Sequence, residues 1–160
     1  MHRIISNTTP ILSLLKIGKL HLLEKIYGKI IVPFAVYNEI ENGIHKPYYQ
    51  DLKLIDWIEI LEINNPNSKD YFIDLDEGEA EVLILSKEQN ADLVIMDEIM
   101  GRRYAKQLGF NLTGTIGILL KAKEDGFIKS IKESLTELVE KGSWLNPKLI
   151  SKALKLAEEE

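Results

Sequence analysis

Leu93-Val94-Ile95-Met96-Asp97 is an apolar run that ends in a carboxylate, and it sits between two helical stretches, Glu77–Gln89 and Ile99–Leu108. A short apolar run between longer helices reads as a strand covered on both faces, over Asp92–Met96. The same unit recurs outward. Arg3–Ser6, Lys29–Val32 and Phe110–Thr113 read as further short strands. Thr8-Thr9-Pro10 is a helix-start signal, because hydroxyls accept from free amides and proline tolerates the first turn. The helical region it opens has Ile11, Leu12, Leu14, Leu15 and Leu22 as its apolar positions, with Gly18 dividing two segments. Pro33 opens a helix over Phe34–Glu41, and Asn42-Gly43 closes it.

Beyond that helix, His45-Lys46-Pro47 reads as a connection, Tyr48–Ile55 as helical, and Trp57–Ile63 alternates as an edge strand does. Asn64–Asp70 is the clearest loop. Thr115–Glu124, Ile131–Lys141 and Pro147–Glu159 complete the chain as helices.

Short apolar strands separated by helices imply parallel pairing with right-handed crossovers, which place helices over both faces of a sheet. The expected fold is therefore α/β, a three-layer α/β/α sandwich around a mostly parallel central sheet. The 160 residues suit a single domain spanning 1–160. The terminal helices, residues 131–160, have enough apolar surface to pack on that domain or to pair subunits.

Composition narrows function by exclusion. There is no cysteine, so disulfides, thiolate metal sites and a cysteine nucleophile are absent. A net charge of −5 argues against coating nucleic acid through bulk positive charge. The start, MHRIISNTTP, has no secretory pattern, and no apolar stretch approaches the roughly 20 residues that span a bilayer. A cytoplasmic protein with no membrane partner is the expectation. His2, His21 and His45 lack paired metal spacing, and there is no phosphate-binding loop, dinucleotide fingerprint or nucleophile elbow.

What remains is a set of oxygen-bearing side chains where strands end or helices begin: Asn7, Glu39, Glu79 and Asp97. In parallel sheets, ligands gather beyond the carboxyl ends of the strands. Asp97 reads either as the N-cap of Ile99–Leu108 or as a metal ligand, with Glu98 beside it. At about 100° per residue, Glu77, Glu81 and Glu88 form an acidic stripe, while Glu79 falls on the opposite side with Val82, Leu83 and Ser86. A carboxylate there needs a metal, an arginine or a frayed first turn open to water. Glu39 borders the Val36/Ile40 face of its helix and taken singly reads as a surface residue. Asn7 suits a turn or cap equally well as a hard-cation ligand that brings no charge. Arg102, Arg103 and Lys106 read as a solvated helix face or as a guide for phosphate. Thr113-Gly114-Thr115 either caps the following helix or holds a phosphate.

The segments IISNTTPILSLLKIGKLHLLEKIYGKIIVPFAVYNEI, LDEGEAEVLILSKEQNADLVIMDEIMGRRYAKQLG and NLTGTIGILLKAKEDG together resemble the PIN-domain family, in particular its prokaryotic branch close to VapC-type toxins. The resemblance implies an α/β/α fold, a Mg²⁺ or Mn²⁺ site and hydrolysis of RNA. By position, Glu39, Glu79 and Asp97 look like the catalytic, metal-binding acids. Asn7 takes the place where many members have aspartate, while Thr8 or Thr115 would hold a water or phosphate. Such enzymes often pair with an antitoxin and often form homodimers. Losing one carboxylate at Asn7 weakens the hold on a cation. Two readings follow: a metal-dependent ribonuclease, as in the toxin of a toxin–antitoxin pair, or a catalytically silent PIN-like module that binds RNA or protein.

Overall fold

The structure, a computed structural model, describes residues 2–160. Five strands, β1 (Ile4–Ser6), β2 (Ile30–Pro33), β3 (Ile58–Leu61), β4 (Leu93–Ile95) and β5 (Leu112–Thr113), form one sheet in the order β3-β2-β1-β4-β5. Every pairing is parallel, with Ile5 opposite Ile31, and Ser6 opposite Ile95. The three-layer α/β fold expected from the sequence is present, and its sheet is parallel throughout.

Eight helices accompany the strands among the described residues: α1 (Thr8–Lys16), α2 (His21–Tyr27), α3 (Phe34–Glu41), α4 (Glu77–Gln89), α5 (Ile99–Gln107), α6 (Thr115–Glu124), α7 (Ile131–Glu140) and α8 (Pro147–Leu156). Right-handed crossovers leading away from β1 in opposite directions along the sheet put their helices on opposite faces. Accordingly α4 packs with α5, while α1 packs with α3 and α6 packs with α1 and α2; α3 also meets α4, and α6 contacts α7 and α8. None of these helices is long and apolar enough to cross a membrane.

The strands supply the centre of the core. Ile5, Ile30, Val32, Val94 and Ile95 are fully buried, as are Leu14, Leu22 and Leu23 from α1 and α2, and Val82 and Leu85 from α4. Each such aliphatic side chain contributes roughly 1.5–3 kcal/mol when removed from water. Gly18, at φ +66°, takes the left-handed turn that lets α1 stop and α2 start.

Two expectations in the middle of the chain are corrected. Tyr48–Ile55 is not an α-helix: it consists of turns and one short 3₁₀ stretch, Leu52–Leu54, started by the Asp51 side chain accepting from the Lys53 amide. Asn64–Asp70 is not a plain loop, because Asn65 caps a 3₁₀ helix over Pro66–Phe72. Local side-chain acceptors, Asp51 and Asn65, decided both segments.

The strand order has one functional consequence. The chain runs outward from β1 to β2 and β3, then returns to lay β4 on the other side of β1. This reversal opens a crevice beyond the carboxyl ends of β1 and β4, the place where parallel sheets bind ligands.

Candidate metal centre

Asn7 and Glu98 meet across that crevice. Asn7 follows β1 and occupies the N-cap position of α1, yet its side chain makes no capping bond. Glu98 lies three residues beyond β4 at the N-cap of α5, and it too leaves its helix uncapped. Instead Asn7 Nδ2 donates to Glu98 Oε2 at 2.9 Å, and the Thr9 hydroxyl donates to the other oxygen. Both side chains are thus turned into the crevice rather than spent on helix ends.

Glu39 reaches the same region from α3. The hydroxyl of Thr8 donates to its Oε2. Gly78, at the start of α4, faces this meeting point, since a Cβ there would lie 3.3 Å from Glu39 Oε2 and 3.6 Å from Asn7 Oδ1. The absence of a side chain at Gly78 keeps the space between these two oxygens open.

Glu79 is buried, with 8% of its surface exposed, and so belongs to the crevice rather than to a frayed turn. Its amide donates at 2.8 Å to Asp76, which N-caps α4. Burial first, and then the charges of Asp76, Glu98 and Glu39, push its pKa up to about 7. A carboxyl so placed is short of positive charge.

Asp97 stands beside this group with a different set of partners. The Thr115 amide and hydroxyl donate to its two oxygens at 2.8 and 2.6 Å. Asp97 therefore caps α6, not α5, which had been its alternative role. A Cβ at Gly114 would overlap Asp97 Oδ1, so only glycine admits this approach. Burial raises the Asp97 pKa while the Thr115 bonds lower it; Glu98 raises it further and Arg102 opposes. The net direction is upward.

The basic cluster divides. Arg102 is half-buried and donates to the Met96 carbonyl at 2.7 Å, which fixes it next to Asp97. Arg103 and Lys106 are exposed, and no ion pair among the described residues engages them.

Two acids carry more than the sequence suggested. Asp76 belongs to the ring of charge around Glu79, and its position three residues ahead of Glu79 is the spacing of an N-terminal capping box. Glu81, placed by helical spacing on a solvated stripe, is in fact buried. It accepts from the Ala35 amide at 2.9 Å at the start of α3 and pairs with Lys69 at 2.9 Å. That pairing across elements has no local signal.

The donors facing the crevice are all oxygen, as magnesium and manganese prefer. No three acidic or histidine side chains among the described residues are drawn together as a ready ligand cluster. The arrangement suits an ion that keeps much of its water and binds through one or two carboxylates plus a substrate phosphate, which is the usual habit of magnesium. In that form the residues fit a hydrated divalent cation.

No curated protein matches this chain. The family model described as PIN domain matches residues 3–159, nearly the whole length and including every residue of the crevice. With a parallel sheet, a switch-point crevice and this match in agreement, the chain belongs to the PIN-domain family.

Proposed function

We propose that the protein is a metal-dependent ribonuclease. The observation that carries this reading is the gathering of Asn7, Glu39, Glu79 and Glu98, with Asp97 alongside, at the switch point of a parallel sheet. Family membership supports a nuclease-type fold; RNA as substrate and the VapC-like toxin role are the finer parts of the proposal.

One or two of the carboxylates Glu39, Glu79 and Asp97 would hold the hydrated cation directly, with Glu98 and the carbonyl oxygen of Asn7 reaching it through its water. When bound, it lowers the pKa of water and stabilises negative charge on the phosphate. Thr8 fixes Glu39, and Thr115 fixes Asp97, so both acids are oriented before substrate arrives. Glu79, whose pKa stands at about 7 while no cation is bound, would give up its proton as the cation arrives and so is suited to orient the attacking water. Water then adds to phosphorus in line with the departing ester oxygen. A protein partner of antitoxin type would act by covering this crevice. The exposed Trp144, Leu149 and Leu156 around α8 supply apolar surface for a homodimer.

The test is cleavage of RNA in Mg²⁺ or Mn²⁺ by the native protein, Asp97→Asn and Glu79→Gln. Each variant should lose at least about a hundredfold in rate. Equal cleavage by Asp97→Asn would remove it from the site.

A second reading has its own support. The Asn7 amide already donates to Glu98, and both Asp97 oxygens already have donors. A silent RNA- or protein-binding module would need nothing more from these residues. Calorimetric titration with Mn²⁺ separates the two: binding that is lost in Glu79→Gln favours the enzyme, and no binding by the native chain favours the module.

A further inference from the structure

Beside Glu39, on the side away from Glu79, lies a cavity of about 250 Å³ between α1, α3 and the turns that follow α3. Leu12 and Leu15 from α1 and Ile40 from α3 make it apolar, and Tyr48 and Tyr49 close one wall. Its rim carries ammonium groups opposite Glu39. Lys46 and His45 line it, and the Lys16 ammonium lies 5.9 Å from the centre of the Tyr48 ring. At this volume it falls below the roughly 300–1,000 Å³ of sites for drug-sized ligands. It has room for one planar heterocycle rather than a folded cofactor.

We propose that this cavity is a nucleobase subsite, which receives the base next to the phosphate held at the acids. This deepens the ribonuclease reading and rests on it.

Three features select this occupant. First, Glu39 lines both the cavity and the acid crevice, so the cavity directly adjoins the place where a strand's phosphate would lie. Second, the alternative course is repulsive. A second cavity also borders Glu39, on the α4 side, with a volume of about 430 Å³, but Asp76, Glu77 and Glu81 line it. Its one cation, Lys69, is already paired with Glu77 at 2.6 Å and Glu81 at 2.9 Å. Phosphates leaving the acids therefore meet negative charge on the α4 side and free ammonium groups on the other. Third, the tyrosine wall is preformed. Lys46 donates its amide to the Gly43 carbonyl at 2.9 Å, Tyr49 its amide to Lys46 at 3.1 Å, and the Tyr49 hydroxyl is tied to Glu41. A rigid aromatic wall with cations at its edge is how single strands are held through stacking and backbone charge together.

The test uses fluorescence anisotropy with RNA hexanucleotides, intact and with one abasic position moved along the strand, in Ca²⁺ for binding and in Mg²⁺ for cleavage. In the native protein, one abasic position should weaken binding about tenfold and the others much less. Leu12→Trp, which fills the cavity, and Tyr48→Ala, which removes the wall, should each weaken intact RNA by a similar factor. In both variants, the sensitive abasic position should cost nothing further. The abasic series on the native chain decides the matter by itself if either variant fails to fold.

Equal binding of every abasic strand overturns the proposal. So does native affinity in both variants, which would leave a side chain of a protein partner as the occupant. The outcomes also separate the two levels. Base-dependent binding without cleavage in Mg²⁺ removes the nuclease reading and retains the subsite, whereas cleavage indifferent to the abasic position removes the subsite alone.

Discussion

Asn7 donates its side-chain amide to Glu98 across 2.9 Å, so a neutral donor rather than a second carboxylate faces this acid. This bond gives one oxygen of Glu98 a donor but brings no charge, so the crevice still lacks the positive charge that a cation would supply. Replacing Asn7 tests how the site balances its charge.

Asn7→Asp removes the donor and sets a second carboxylate against Glu98. Without divalent ions the variant should be less stable by about 1–3 kcal/mol. Added Mg²⁺ or Mn²⁺ should restore most of the loss, since an ion that binds only the folded state stabilises it. Thermal melts in EDTA and in each metal check this, and a variant as stable as native in EDTA would contradict it.

Glu79 sets a pH dependence. Its folded pKa is raised to about 7 from an ordinary value of 4.5, so the folded state holds its proton more tightly than the unfolded chain. Its contribution is therefore full below about pH 4.5 and is lost as pH rises through about 7. Glu79→Gln should stabilise the metal-free protein by on the order of 2 kcal/mol at pH 8, with the advantage fading toward pH 5. Chemical unfolding at the two pH values measures it; a constant advantage would mean that ionisation of Glu79 is not the cause.

Glu81 links three parts of the fold: α4, the first turn of α3 and the 3₁₀ segment bearing Lys69. Glu81→Ala leaves the Ala35 amide unpaired and Lys69 with only Glu77. A loss of about 3 kcal/mol is expected in urea unfolding. A change within about 0.5 kcal/mol, as for ordinary surface positions, would show that Glu81 is not a structural tie.

The chain terminus carries a tie of a different kind. Glu159 accepts from the Ser130 hydroxyl at 2.6 Å, the Ile131 amide at 2.8 Å, Lys123 at 2.9 Å and the Lys132 amide at 3.1 Å. Burial works against its charge, but these donors outweigh burial and hold its pKa at about 2. With the folded value depressed, the stabilisation is present above about pH 4.5 and is lost as pH falls through about 2. Glu159→Gln should cost about 1–3 kcal/mol at pH 7 and little near pH 2. Unfolding curves at both ends of the range provide the check, and an equal cost at each would exclude the charge as the source.

Much of the framework was legible because its signals are local. Pro33 before Phe34–Glu41, and Thr115 after Gly114, mark helix starts that the structure reproduces, and Glu77–Gln89 also has its expected bounds. The departures came where local signals compete. Tyr48–Ile55 has apolar residues at helical intervals, yet Asp51 turns the backbone there and the segment becomes a cavity wall. Glu81 shows the limit of periodicity most clearly. Its angle around α4 points it away from Glu79, but α3 and the Lys69 segment cover that side as well. A helix covered on two sides has no solvated stripe to find.

The order of apolar runs and helix starts was sufficient for a parallel α/β chain with Asn7, Glu39, Glu79 and Asp97 near the ends of strands or helices, since backbone propensity and apolar spacing act over a few residues. Which of those side chains meet was decided by the return crossover that lays β4 against β1. That step pairs Asn7 with Glu98 and buries Glu79 among Asp76, Glu98 and Glu39, and the pairing of β5 on β4 then hands Asp97 to Thr115. Charge interacts through space rather than along the chain, so these partnerships exist only once the sheet has assembled.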